Sequence, residues 1–303
     1  MERRFVTIDV FTTIKGAGNP LAVVRDAEGL SDAQMQLIAR EFNLSETTFV
    51  LPPRQAGQQA FVRIFTPGRE LPFAGHPVIG TALVLAKLER QQRSVAPQTL
   101  TIEVPLGGVA VEIGEGPGGE MIATCDAPKL PVFQDSSPSA EQVAAALSIP
   151  TSALAKAVPI ETWDAGYAVA FVALASKEAV TRCKVNLAQW PQGSSGQAVS
   201  LFPYAATGER RVYARMFAPT LGIPEDPATG GAAVAMAGHL HTHHGIGDGT
   251  HRFEIEQGVD MGRPSLIGLL IDIERAALTR VHSRRRCGIH AGRADAVGAA
   301  PAQ

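Results

Sequence analysis

A pentapeptide in this chain returns about half the chain length later, and that repetition limits the fold more than any other feature. Arg63-Ile64-Phe65-Thr66-Pro67 recurs as Arg215-Met216-Phe217-Ala218-Pro219. Shortly afterwards His76-Pro77-Val78-Ile79-Gly80-Thr81-Ala82 is answered by Asp226-Pro227-Ala228-Thr229-Gly230-Gly231-Ala232, 150 residues further on in a chain of 303. Chance can supply one short echo, but two in the same order point to a duplicated domain. The stretch after Ser31, with Gln34 at capping-box spacing, predicts a helix, and its expected counterpart follows Ser137-Pro138. Each half then reads as strand, helix, further strands, and an Arg-x-Phe-x-Pro strand leading into an apolar helix. The expected halves are 1–127 and 128–279, joined where Pro and Ser cluster between 127 and 138. Residues 280–303 are basic and poor in large apolar side chains, which predicts weak order there.

Local patterns fill in this frame. Phe5 to Val10 alternates like a strand, and Leu21 to Val24, Glu46 to Leu51 and Phe61 to Phe65 carry the β-branched and aromatic residues of strands. His76 to Leu88 reads as a buried helix. Thr99 to Val104 and Val109 to Ile113 flank Pro105-Leu106-Gly107-Gly108 as a hairpin. Hydrophobic residues at 45% and charged residues at 18% are enough for a sizeable core. With 27 basic against 29 acidic residues, the chain lacks the basic excess that a nucleic acid or anionic membrane partner requires. Its start has no long apolar stretch of the signal-peptide kind, and Cys125, Cys183 and Cys287 are far apart. Neither a disulfide framework nor a thiolate zinc site is expected, and a reducing cytoplasm fits best.

The candidate chemistry lies where the two apolar helices begin. A helix start presents unpaired N–H groups and a partial positive charge, so it attracts a carboxylate or phosphate. Gly75, Gly230 and Gly231 would let such a ligand approach the backbone closely. If the halves face one another, His76 and Asp226 could both reach a bound ligand; alternatively, each is an ordinary N-cap. Glu46 opens an otherwise apolar strand. In a cleft its pKa would rise and it would serve as an acid–base, whereas at a solvated strand end it would do neither.

The motifs Gly18-Asn19-Pro20-Leu21-Ala22-Val23-Val24, Ser45-Glu46-Thr47-Thr48-Phe49-Val50, Glu70-Leu71-Pro72-Phe73-Ala74-Gly75-His76-Pro77 and Glu225-Asp226-Pro227-Ala228-Thr229-Gly230 resemble the phenazine-biosynthesis PhzF-like isomerase family. Gln257-Gly258 and Met261-Gly262-Arg263-Pro264-Ser265 are similar to it as well. The resemblance implies the diaminopimelate-epimerase-like fold, with two pseudo-symmetric mixed α/β domains, each a curved sheet around a central helix. It implies a cofactor-independent isomerase, usually a homodimer, that acts on a small-molecule carboxylate. Glu46 takes the position of the proton-moving glutamate, His76 and Asp226 those that hold polar groups, and Gly75 and Gly230 those that bind the carboxylate. Two departures stand out. Gly231 replaces a common Ser, and the segment from Arg280 to Gln303 differs from the family's usual closing strand pair. A carboxylate-binding protein without turnover is the alternative. Related epimerases use two facing thiols, but no cysteine lies near either helix start, so a one-base shuttle is expected.

Two other features bear on what the chain can bind. His239, His241, His243 and His244 cluster at the end of the second apolar helix, but no neighbouring carboxylate precedes Asp248, so no metal is expected. Gly114 to Gly119 is Gly-rich, yet Pro117 and the lack of a following helix make it a turn and not a dinucleotide loop.

Overall fold

The computed structural model describes residues 2–286 except 95, 117 and 193–198. The chain divides into two compact units, Met1–Cys125 together with Arg285 and Arg286, and Asp126–Arg284.

The first unit runs β1 (Phe5–Val10), β2 (Asn19–Val24), α1 (Asp32–Phe42), β3 (Glu46–Leu51), β4 (Ala60–Phe65), β5 (Glu70–Leu71), α2 (Gly75–Arg93), β6 (Thr99–Val104), β7 (Gly107–Glu115) and β8 (Met121–Asp126). Its sheet is mixed. Strands β1 and β2 are antiparallel, β2 and β3 parallel, β3 and β4 antiparallel, and β4 and β6 parallel, with β7 and β8 continuing antiparallel. Helix α2 packs on β1, β2, β3, β6 and β7, so the sheet wraps around one helix. Nearly every residue from His76 to Ala86 is buried, which matches a sequence that is apolar on all sides. Gly80 permits the close approach, since a Cβ there would sit 2.6 Å from Leu21 Cδ2. Helix α1 starts with the expected capping box, Ser31 with Gln34, and ends at Asn43 in the left-handed region. Beneath it Met35, Ala39, Phe49 and Phe65 form a small core in which the two Phe rings meet edge-on at 5.3 Å. The β6–β7 hairpin turns on Pro105-Leu106, two residues tighter than the sequence suggested.

The second unit contains β9 (Val132–Gln134), α3 (Ala140–Ala146), β10 (Glu161–Asp164), β11 (Ala168–Ala173), α4 (Lys177–Thr181), β12 (Ser200–Gly208), β13 (Arg211–Ala214), β14 (Met216–Ala218), β15 (Ile223–Asp226), α5 (Gly230–His243), β16 (Gly249–Gln257), β17 (Ser265–Glu274) and β18 (Ala277–Arg286). The pattern of the first sheet recurs: β10 and β11 antiparallel, β11 and β12 parallel, β12 and β13 antiparallel, β13 and β16 parallel, β16 and β17 antiparallel. Helix α5 packs on β9, β10, β11 and β17.

Three expectations are corrected by this architecture. The counterpart of α1 is α4, capped by Ser176, because both connect a parallel strand pair. Helix α3 precedes that block and is capped by Ser139, one residue beyond Pro138. The stretch expected as a plain join contains β9, which pairs with β10 and sets Phe133 against Trp163 at 5.6 Å. Regular structure does not stop at Arg280. Arg275 and Ala276 form a turn with φ of 53° and 60°, their N–H groups both held by Asp248, and this feeds β18. Within β18 Val281 is buried, while Arg280 and His282 pair with Asp126 at 2.9 and 2.7 Å. Alternation needs only one apolar face, and ion pairs hold the other. The expectation for 287–303, Cys287 included, lies outside the described residues.

Candidate active site

Glu46 is the first residue of β3, directly opposite Leu21 of the parallel neighbour β2. His76 is the second residue of α2. The two side chains, 12% and 7% exposed, meet with His76 Nε2 3.4 Å from Glu46 Oε2. The reading of Glu46 as a solvated strand-end residue is therefore set aside. The same elements carry other buried polar groups: Asn19 of β2, Thr47 of β3, and the hydroxyls of Thr48 and Thr81, which are 2.9 Å apart.

Neither His76 nor Asp226 is an N-cap. Ala74 caps α2 and Thr229 caps α5, and neither supplies a side-chain bond to the first turn. The first-turn N–H groups, at Gly75 in one unit and Gly230-Gly231 in the other, are left suited to an anion.

In the second unit Asp226 ends β15, three residues before that cap. Its carboxylate accepts from Thr229 Oγ1 at 2.5 Å. Gln257 organises this turn. Fully buried, it donates from Nε2 to the Asp226 carbonyl at 2.7 Å and to Thr229 Oγ1 at 3.0 Å, while its Oε1 accepts from the Thr229 N–H at 3.3 Å. Gly258 follows with φ of 75°, and a Cβ there would fall 2.6 Å from the Pro227 carbonyl oxygen. Gln257 was not among the expected site residues, although the Gln257-Gly258 pair already marked the segment.

The structure also resets the register of the repeat. Arg63 makes a two-point ion pair with Glu70 at 2.7 and 2.6 Å, and Arg215 does the same with Glu225 at 2.8 Å twice. These glutamates lie 155 residues apart, as do the helix starts Gly75 and Gly230. His76 therefore corresponds to Gly231 and not to Asp226, whose counterpart is Leu71. The Tyr167 ring covers Gly231, with Cε1 2.9 Å from where a Cβ would stand. A separate cavity of about 320 Å³, lined by Arg90, Ser94, Gln98, Glu115 and Met121, lies at the far end of α2. Fifteen residues of helix put it roughly 22 Å from the Glu46–His76 pair.

A duplicated α/β unit with a sheet wrapped around one central helix, and polar groups at the helix start, is the fold seen in PhzF proteins and in proline racemase-like and epimerase-like proteins. Within it, the chain belongs to the phenazine biosynthesis-like family, whose model matches residues 8–291, and it is an isomerase of the PhzF type. It is 40% identical over 277 residues to the trans-2,3-dihydro-3-hydroxyanthranilate isomerase of Pseudomonas fluorescens, covering 91% of this chain and 93% of that one. An uncharacterized isomerase of Mesorhizobium japonicum is 36% identical over 95% of this chain and 96% of its own. A crystal structure of a Bacillus anthracis PhzF-family protein superposes with a TM-score of 0.82 at 26% identity, covering 95% and 97% of the two chains. The diaminopimelate-epimerase-like fold expected from the sequence is the one observed. Among the described residues no helix is long and apolar enough to cross a membrane.

Proposed function

We propose that the protein isomerises a small unsaturated cyclic carboxylic acid by moving a proton from one ring carbon to another, with Glu46 as the group that accepts and returns it. The supporting observation is the Glu46–His76 pair, a carboxylate and an imidazole 3.4 Å apart, both largely buried, at the start of an uncapped helix. A base that takes a proton and gives it back needs to hold one orientation through both steps, and burial beside His76 favours that. His76 and Asp226 hold polar groups of the substrate. The first-turn N–H groups at Gly75, Gly230 and Gly231 receive its carboxylate, as helix starts do for anions. By likeness to the named relatives, trans-2,3-dihydro-3-hydroxyanthranilate is the substrate to try first. It carries the carboxylate, the ring unsaturation and the hydroxyl that these groups would address. The working form is a homodimer, and the chemistry needs no metal or organic cofactor.

The test is turnover of that compound by chelator-treated protein, followed by absorbance and mass spectrometry. Isomerisation at an undiminished rate after chelation supports the reading. Saturable binding without any product would instead identify a carboxylate-binding protein on the same fold. His76→Ala and Asp226→Asn should weaken binding and turnover together.

A further inference from the structure

The far end of α5 carries a side-chain arrangement that the isomerase chemistry does not use. His239 and His243 sit one helical turn apart, and the fold brings Glu161 of β10 beside both, although it lies 78 residues upstream of His239 in sequence. Glu161 Oε2 is 3.2 Å from His239 Nδ1 and 2.9 Å from His243 Nε2, and the three ligand-capable atoms all lie within 4.8 Å of one another. Two ligand atoms about 2.1 Å from a tetrahedral ion stand roughly 3.4 Å apart, close to the spacings from Glu161 to each histidine.

We propose that Glu161, His239 and His243 form a three-ligand site for a divalent transition-metal ion of the zinc class, with water as the fourth ligand. Four features of the geometry support it. His243 Nε2 is buried, yet it makes no well-formed hydrogen bond despite its closeness to Glu161. Glu161 Oε2 already has Trp163 Nε1 at 3.0 Å and His239 Nδ1 at 3.2 Å, which leaves it little capacity for His243 Nε2 as a third neutral partner. The outer contacts are those of a metal site. Tyr204 Oη lies 2.8 Å from His239 Nε2 and can accept its proton, which turns the Nδ1 lone pair toward Glu161, while Phe171 stacks on the ring. The position at the last turn of α5 also adds the attraction of helix carbonyls for a cation.

His243 lies thirteen residues beyond Gly230, roughly 20 Å along the helix, so the ion would brace β10 against α5 and take no part at the Asp226 end. Its absence from the sequence reading has a plain cause: the missing carboxylate comes from another strand.

The experiment uses full-length, tag-free protein stripped with chelator and dialysed. Zn²⁺ is titrated by calorimetry, and Co²⁺ by its visible absorption. One ion per chain should bind, with a rise in Tm at excess Zn²⁺. Tyr204→Phe should weaken Zn²⁺ binding roughly 10–100-fold, and His243→Ala by at least that much. His244→Ala, an exposed neighbour, should change it little. His243→Ala lies at the edge of the unit and keeps the buried His239, so its fold is checked by circular dichroism and its urea midpoint. No saturable binding by the parent protein below about 1 mM Zn²⁺ would overturn the proposal. Equal binding by His243→Ala would do so as well. Turnover that survives chelation leaves the proposed proton chemistry intact whichever way the titration falls.

Discussion

The two central helices begin alike and differ in what they carry. At α2, His76 stands on the helix itself and meets Glu46 of β3. At α5 the same helical position is Gly231 beneath the Tyr167 ring, and the polar group, Asp226, stands four residues before the helix and is fixed by Thr229 and Gln257. The frame around both is shared: an Arg–Glu clamp on the preceding strands, a sheet of the same order, and an apolar helix with no side-chain cap. Duplication thus supplied two anion-suited helix starts. In the proposed reading only the first was furnished with a proton-moving pair, and the second became a rigid binding turn.

That contrast can be broken at the clamps first. Arg215 is 11% exposed and donates to the carbonyls of Thr181 and Cys183 besides Glu225, whereas the Glu70 partner of Arg63 is 32% exposed. Arg215→Met should cost about 3–5 kcal/mol, as expected when one member of a buried pair is lost. Arg63→Met should cost roughly 1.5–3 kcal/mol, the range for hydrogen bonds to charged groups. Urea unfolding checks both, and equal losses would mean that the clamps are equally buried in effect.

Next is the binding turn. Gln257→Ala removes three hydrogen bonds around the half-buried Asp226 and Thr229. A stability loss of roughly 1–3 kcal/mol is expected, together with a raised KM and a smaller change in kcat. A fall in kcat alone would move Asp226 from holding substrate to the proton chemistry.

A finer probe of the difference is Gly231→Ser. The new Cβ would meet Tyr167 Cε1 at 2.9 Å, so the ring has to shift, at a cost of about 1–3 kcal/mol. Pairing it with Tyr167→Ala should recover part of that loss. If the single variant is as stable as the parent, Tyr167 is not held over the helix start. The smallest effect concerns Cys183, whose thiol burial pushes up to about 12. Alkylation of the native protein at pH 8 should leave Cys183 unmodified by peptide mapping, and unfolding should expose it.

The duplication itself was legible because an Arg-x-Phe-x-Pro strand has few ways to recur. Its register was not. His76-Pro77 and Asp226-Pro227 look like partners in sequence, but His76 stands six residues after its clamp glutamate Glu70, whereas Asp226 directly follows Glu225 and so ends β15 before the helix begins. Pattern matching cannot see such a shift, whereas the Arg–Glu clamps reveal it. Glu46 drew attention as a charge opening an apolar strand, yet its closeness to His76 depends on the parallel pairing of β2 and β3, which sequence alone leaves open. Gln257 and Glu161 escaped for the same reason: each acts on residues at least 28 positions away. The stretch of β18 from Arg280 to His282 escaped because ion pairs with Asp126, and not apolar alternation, hold one of its faces.

The central claim is that the proton passes through Glu46. Its most direct test compares parent protein and Glu46→Gln with trans-2,3-dihydro-3-hydroxyanthranilate in D₂O, following isomerisation and deuterium incorporation by proton NMR. The glutamine keeps the shape and hydrogen-bonding reach of the side chain but cannot ionise. Glu46→Gln is expected to bind within a few-fold of the parent and to lose about 10²–10⁴ in turnover, the usual weight of a positioned acid–base. Isomerisation by Glu46→Gln at near the parent rate would contradict the account and pass the proton to His76 or Asp226.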